Sequence, residues 1–289
     1  MRQSLCTPEA CTRFSIVINI FLFILKMVAG ILGRSQALVA DSLNSLLDIV
    51  ANAVVWLGIR IANRPPDDEH PYGHGNADNL AAIFVAIVLV LTGGYIGYEA
   101  VHSIIDRNFQ TPTYLATTAA AITIIIKETL YHYTLRIGKR FKSPAVVANA
   151  YDHRSDVIVS AGALVGIILA QFGYPVLDPL AGLWVAFFIL KQGAKIIREN
   201  IPTLMVTSPG SKIETDIGDY IKNLDGVMAV VWIRGRAVGS SYYLDTAVNV
   251  NGNISVKAGH DIASEIKRKV QQKFPDVADI LVHIEPDSD

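Results

Sequence analysis

The chain has little cysteine, little charge and no surplus of basic residues, and each shortage excludes a class of protein. Its two cysteines, Cys6 and Cys11, cannot build a disulfide framework, and their spacing is not the CxxC of a zinc ribbon. They read as reduced thiols on a mobile N-terminal tail, with metal collection as the alternative. Charged residues make up 18% of the sequence, against about 25% in ordinary soluble domains. A net charge of −1 provides no electrostatic footprint for nucleic acid. No small-residue cleavage site follows the apolar run from Phe14 to Leu32, so that run reads as a membrane helix and not as a secretory signal.

Hydrophobic residues take the place of charge, at 51% with a mean hydropathy of +0.37. They are unevenly spread. Residues 1–205 hold nearly all the long apolar runs, whereas 207–289 have the Asp, Lys, Asn and Gly of a soluble domain. Six stretches approach the length needed to cross a bilayer, about 20 residues. They lie at roughly 12–33, 36–61, 79–105, 113–135, 145–172 and 177–199. The fourth and sixth are expected to be clear spans. The second and fifth carry acids and small polar residues along one face, as a cavity-lining helix does. Arg2, Arg13, Arg60, Arg64, Lys139, Arg140, Lys142, Lys195 and Arg198 collect on one side of such a bundle, with only Arg34 and Arg107 on the other. The positive-inside rule then places both termini in the cytoplasm. Gly93 with Gly97, and Gly162 with Gly166, have the spacing of close helix packing. Lys127 and Glu128 are expected to snorkel, and Lys26 is a candidate partner for a cavity carboxylate.

Beyond Leu204 the pattern predicts a helix over 211–223, strands over 227–234 and 242–250, a helix over 255–274 and a strand over 279–285. A turn with Gly239 and Ser240 joins the first two strands. The order αββαβ is that of a small α+β domain.

The candidate chemistry is acidic. Asp41, Asn44, Ser45 and Asp48 follow i, i+3, i+4, i+7 and share one helical stripe. Asp152 and Asp156 are likewise one turn apart, with Asn149 a turn earlier. His153 lies about 100° round the helix from Asp152, off that stripe. Asn44, Asp48, Asp152 and Asp156 can meet between two helices and hold a metal ion. The alternative is that the acids pair with buried bases, and two spaced pairs with no matching pair of buried bases favour the metal. Oxygen-only donors suit Mn²⁺, Fe²⁺ or Mg²⁺ better than Zn²⁺. The run from Asp67 to Gly75 adds a second candidate site on Asp67, His70 and His74, or else a solvated loop. In the tail, Asp245, His260, His283 and Glu285 stand out, with His283 and Glu285 on one side of a strand.

The acidic helix pair, the His-Pro-Tyr-Gly-His-Gly loop, the six spans and the αββαβ tail together resemble the cation diffusion facilitator family over nearly the whole chain. That resemblance implies an α-helical bundle of six transmembrane helices over 1–205, with a cytoplasmic, metallochaperone-like domain for regulation and dimerisation over 206–289. It implies a transporter and not an enzyme: a homodimeric antiporter that exports a divalent metal against protons by alternating access. The metal ion, Mn²⁺, Fe²⁺ or Zn²⁺, is both substrate and possible regulator. Asn44, Asp48, Asp152 and Asp156 match the family's transport site, and Asn44 with Asp152 is similar to the manganese-type branch. The run from Ser143 to Asp156 also resembles the magnetosome iron transporters, which implies an internal membrane or a hetero-dimer partner as alternatives to the inner membrane and a homodimer. Asp245, His260, His283 and Glu285 match metal-binding places of the family's tail. Departures also stand out. Asn76 and Val206 replace a charged pair of zinc-type members, and Val231 and Ala247 replace two histidines. A zinc exporter and a membrane metal sensor or scaffold are the remaining alternatives.

Overall fold

The computed structural model describes residues 8–141, 143–239 and 241–287. Arg2, Cys6, Lys142 and Ser240 lie outside them. Six long helices come first: α1 (Pro8–Leu32), α2 (Gln36–Ala62), α3 (Ala77–Ile105), α4 (Tyr114–Arg140), α5 (Pro144–Gln171) and α6 (Leu177–Leu204). The shortest has 25 residues, which at 1.5 Å per residue exceeds the ~30 Å of a hydrocarbon core.

Five of these helices are also apolar enough to cross a membrane, and α4 is the exception. The fourth stretch, expected to be among the clearest spans, is therefore the least apolar. Lys127 and Glu128 interrupt it in mid-helix. It compensates by burying that part of itself, packing chiefly on α5 and then on α1.

The helices stop in a shared way. The N–H of Ser35 reaches back to Gly30 O, that of Asn108 to Ser103 O, that of Ser143 to Gly138 O and that of Tyr174 to Leu169 O. These six-to-one bonds satisfy carbonyls that a helix end leaves open. Arg34 and Arg107 supply the left-handed residue at two of these ends, with φ of 54° and 52°.

By contacts the chain divides into two compact units, residues 1–54 with 84–196, and residues 55–83 with 197–289. In the first, Leu38, Leu89, Ile167 and Ile189 form the interior. Val17, Phe21, Leu91 and Phe187 are exposed, as side chains facing lipid must be. Of the two glycine spacings, the one on α5 makes the closer approach. A Cβ on Gly162 or Gly166 would collide with Trp184 or Ala181 of α6. Cys11 is buried in α1 and donates to Thr134 Oγ1 at 3.7 Å, so it does not sit on a free tail.

The second unit contains α7 (Ser211–Lys222), β1 (Ala229–Val238), β2 (Ser241–Val250), α8 (Val256–Lys273) and β3 (Val277–Pro286). This is the expected αββαβ order. β1 and β2 form an antiparallel hairpin, and β3 lies parallel to β2 after the α8 crossover. Ser255 caps α8 by accepting from Ala258 N at 3.2 Å. Ile217, Ile221, Ile266 and Val270 cover one sheet face around Leu244 and Val248. β1 runs four residues past its expected end at Arg234, because Gly235 stays in the ladder opposite Leu244. Pro209 and the Leu244 side chain crowd that position and leave no room for a Cβ.

Candidate metal centre

On α2, Asp41 and Asn44 are 1% and 4% exposed, and Asp48, one turn after Asn44, is half-buried. On α5, Asp156 is half-buried and Asp152 is exposed. Asp48 interacts electrostatically with Asp156 and Asp152, so the two helices bring their carboxylates into one neighbourhood. The three do not form a converged ligand set. Among the described residues, the one group of three or more His, Cys, Asp or Glu whose ligand atoms all lie within 4.8 Å is Asp67, His70 and His74.

The acids of the membrane unit have partners that their spacing does not reveal. Lys26 Nζ lies 3.0 Å from Asp41 Oδ2 and also donates to the Asp41 carbonyl at 3.0 Å. Ser160 of α5 donates to the same Asp41 carboxylate at 2.8 Å. Lys127 donates to Asp156 Oδ2 at 2.6 Å. Both lysines are only 1% exposed. Lys127 therefore does not snorkel, and the expected lack of a matching pair of buried bases is overturned. The reason is steric as well as electrostatic. α4 is packed against α5 along its length, so a long side chain on that face has a carboxylate within reach and no route to water. Glu128, on the neighbouring face, is partly exposed and bonds Arg154 and His132.

His153 is a residue that spacing placed off the site. It is 2% exposed, and its Nε2 is buried with no hydrogen-bond partner. It interacts electrostatically with Lys127 and Asp156. The buried stripe of α5 runs through Val146, Ala150, His153 and Ser160, which turns His153 inward and Asp152 outward. The signal was present in the sequence. His153 falls on the same heptad-like stripe as the small residues Ala150 and Ser160, and those mark the packed face.

The loop between α2 and α3 brings its three candidate residues together. Asp67 lies 3.1 Å from His70 Nδ1 and 3.3 Å from His74 Nε2. The His70 backbone N–H also donates to Asp67 at 2.7 Å. That backbone bond, followed by the His70 side chain and the charge of both imidazoles, holds the Asp67 carboxyl below the ordinary carboxylate range. One carboxylate and two imidazoles, with Asp67 and His70 exposed and His74 13% exposed, offer donors suited to a transition-metal ion.

Among the described residues, no three of the tail candidates gather within one chain. Asp245 pairs with Arg236 at 3.3 Å, His260 faces Ser264 at 3.5 Å, and His283 lies 3.9 Å from Glu285. Ala247 is fully buried and Val231 is exposed. Asn76 accepts from Gly239 N at 3.2 Å, which ties the loop to the β1–β2 turn.

Membrane-length helices that enclose acids and lysines, followed by an αββαβ domain, define a multi-pass membrane protein of the transporter type. The sequence model of the cation efflux transmembrane domain matches residues 12–205, and that of the cation efflux protein cytoplasmic domain matches 209–287. The chain belongs to the cation efflux, or cation diffusion facilitator, family. It is 34% identical over 279 residues to the manganese efflux system protein MneP of Bacillus subtilis (strain 168), covering 94% of each. It is 31% identical over 268 residues to the magnetosome protein MamB of Paramagnetospirillum magneticum, covering 93% of this chain and 90% of that one. Among solved structures, a nickel form of the MamM CTD matches 27% of this chain with 20% identity and a TM-score of 0.27.

Proposed function

We propose that this transporter exports a divalent transition metal, Mn²⁺ or Fe²⁺, from the cytoplasm in exchange for protons. The observation that carries the reading is the pair of carboxylate-bearing helices, α2 and α5, whose Asp48 and Asp156 share one electrostatic neighbourhood in a cation efflux fold. Asn44, Asp48, Asp152 and Asp156 are the ligands. Ligation needs the ionised carboxylates, so metal arriving from the cytoplasm displaces protons. A rocking motion then exposes the ion to the other side, where incoming protons release it. MneP, by its name a manganese efflux protein, supports manganese as cargo, and the likeness to the magnetosome protein MamB supports the magnetosome-type alternative.

In this reading residues 1–205 form the membrane domain, with both termini cytoplasmic. Residues 206–289 form a cytoplasmic domain that dimerises two copies and responds to metal. Asp67, His70 and His74 form a loop site facing the same compartment, and Asp245, His260, His283 and Glu285 contribute to metal sensing in the tail.

The test is flux in proteoliposomes loaded with a pH-sensitive dye. Mn²⁺ or Fe²⁺ uptake should be accompanied by proton counterflow, and Asp48→Ala and Asp156→Ala should abolish both. Flux that survives these substitutions sinks the reading, and flux without proton movement turns the protein into a channel. One observation favours Zn²⁺ as a second cargo: the buried, unpartnered Nε2 of His153 is a nitrogen donor beside Asp156. Competition among Mn²⁺, Fe²⁺ and Zn²⁺ on the purified protein ranks the three.

A further inference from the structure

Lys127 donates to Asp156 Oδ2 at 2.6 Å from a position 1% exposed, and its ammonium also interacts with Asp48 and Asp41. A second lysine, Lys26, is spent on Asp41, with Ser160 completing that carboxylate. The two lysines are therefore not equivalent. Lys26 neutralises an acid outside the ligand set, whereas Lys127 stands on one of the ligands.

We infer that Lys127 is the resident cation of the transport site, displaced from Asp156 by a divalent cargo and returning to it when the cargo leaves. This rests on the reading of Asn44, Asp48, Asp152 and Asp156 as that site. A metal ion and an ammonium cannot both sit on Asp156 Oδ2, because each needs the same oxygen and like charges repel at that distance. Lysine suits an exchange of this kind. Its ammonium is a point charge on a flexible four-carbon stem and can leave the carboxylate by rotation about its own side-chain bonds, whereas a guanidinium fork would grip the carboxylate in two places.

Two consequences follow. The first is a threshold. A monovalent ion offers Asp156 no more charge than the ammonium already there, whereas a divalent ion offers twice as much. The lysine therefore discriminates by charge and leaves discrimination among divalent metals to the ligands. The second is release. When protons or the outward rearrangement weaken the metal's hold, the tethered ammonium completes the exit by retaking Asp156, so the emptied site never holds a bare buried carboxylate.

The experiment is Mn²⁺ titration of the purified full-length protein in detergent, with and without 100 mM Na⁺, paired with Mn²⁺ flux in proteoliposomes. Lys127→Gln should bind Mn²⁺ about tenfold or more tightly, as expected for removing a close charge pair's competitor. It should turn over more slowly, and its Mn²⁺ affinity should become sensitive to Na⁺. Lys127→Arg keeps the charge but grips Asp156 in two places, so it should weaken Mn²⁺ binding. Should Lys127→Gln fail to fold, Lys127→Arg alone decides. Folded variants that both bind Mn²⁺ like the parent protein overturn the inference and make the pair a packing feature. Asp156→Asn in the same titration separates the two claims. If it leaves Mn²⁺ affinity unchanged, the site itself is misplaced. If it weakens binding while both Lys127 variants match the parent, only the role of the lysine is wrong.

Discussion

The acids between α2 and α5 and those of the 63–76 loop are the same chemical groups under opposite conditions. In the membrane unit, Asp41 and Lys26 are each 1% exposed and meet at 3.0 Å. In the loop, Asp67 and His70 are both more than half exposed and meet at 3.1 Å. The distances are nearly equal, yet the energetics are not. Water screens the loop pair and can replace either partner, so such a contact is worth at most about 1 kcal/mol. No water replaces Lys26, and removing one member of a buried pair leaves a charge with nothing to balance it. The loop contact is therefore readily exchanged, while the buried pair is not.

This comparison can be broken or sharpened by substitution. The largest effect is expected at Asp41. Asp41→Ala should lower stability by about 3–5 kcal/mol, because buried Lys26 loses its counter-charge and keeps only the carbonyl of residue 41. Thermal unfolding in detergent measures it, and a loss below about 1 kcal/mol, the range of an exposed pair, would show that water reaches the site. The double variant Lys26→Met with Asp41→Leu should then regain most of that loss, since an apolar pair of similar volume is often neutral in place of a buried salt bridge. If the double variant is no better than Asp41→Ala, Asp41 contributes through Ser160 and packing and not through charge.

In the loop, His70→Ala should change metal-free stability by about 0.5 kcal/mol or less, as exposed substitutions do, and His74→Ala, at a side chain 13% exposed, somewhat more. They should nevertheless abolish the loop's share of metal binding, read as one fewer ion per chain by equilibrium dialysis. The smallest effect belongs to a plain surface pair on α8. Arg268 holds Glu265 at 2.6 and 2.9 Å and keeps its carboxyl below the ordinary range. A lowered carboxyl contributes stability above its unfolded-state value, and loses it as pH falls through the folded value. Arg268→Ala should thus differ only slightly from the parent above a pH of about 4.3, and that difference should fade as the pH falls below it. A pH series of melting temperatures checks the sign.

Much of the architecture was legible because length and period carry it. Six apolar stretches and the switch to period-two strands beyond residue 227 locate the elements to within a few residues. The errors came where one residue has two explanations. Lys127 in an apolar run reads as a snorkelling end, and only the packing of α4 on α5 shows that its route to water is closed. Asp152 and His153 are neighbours in sequence, and which of them faces inward is decided by the whole α5 stripe from Val146 to Ser160. β1 looked finished at Gly235, because crowding by Pro209 lies outside any local pattern. The grouping of Asp67, His70 and His74 was legible for the opposite reason. Their spacing is local, within eight residues of one loop.

Both buried pairs join helices that follow one another in the chain, Lys26 of α1 with Asp41 of α2, and Lys127 of α4 with Asp156 of α5. This bears on how the protein is made. A lone helix carrying Lys26 or Lys127 enters hydrocarbon at a cost of about 2.5–3.5 kcal/mol on insertion scales. A hairpin that carries the lysine together with its aspartate enters with that charge already cancelled. The unit of biogenesis is then the hairpin, α1 with α2 and α4 with α5. It follows that α4, too polar to qualify as a span by itself, settles in the bilayer only once α5 has emerged behind it.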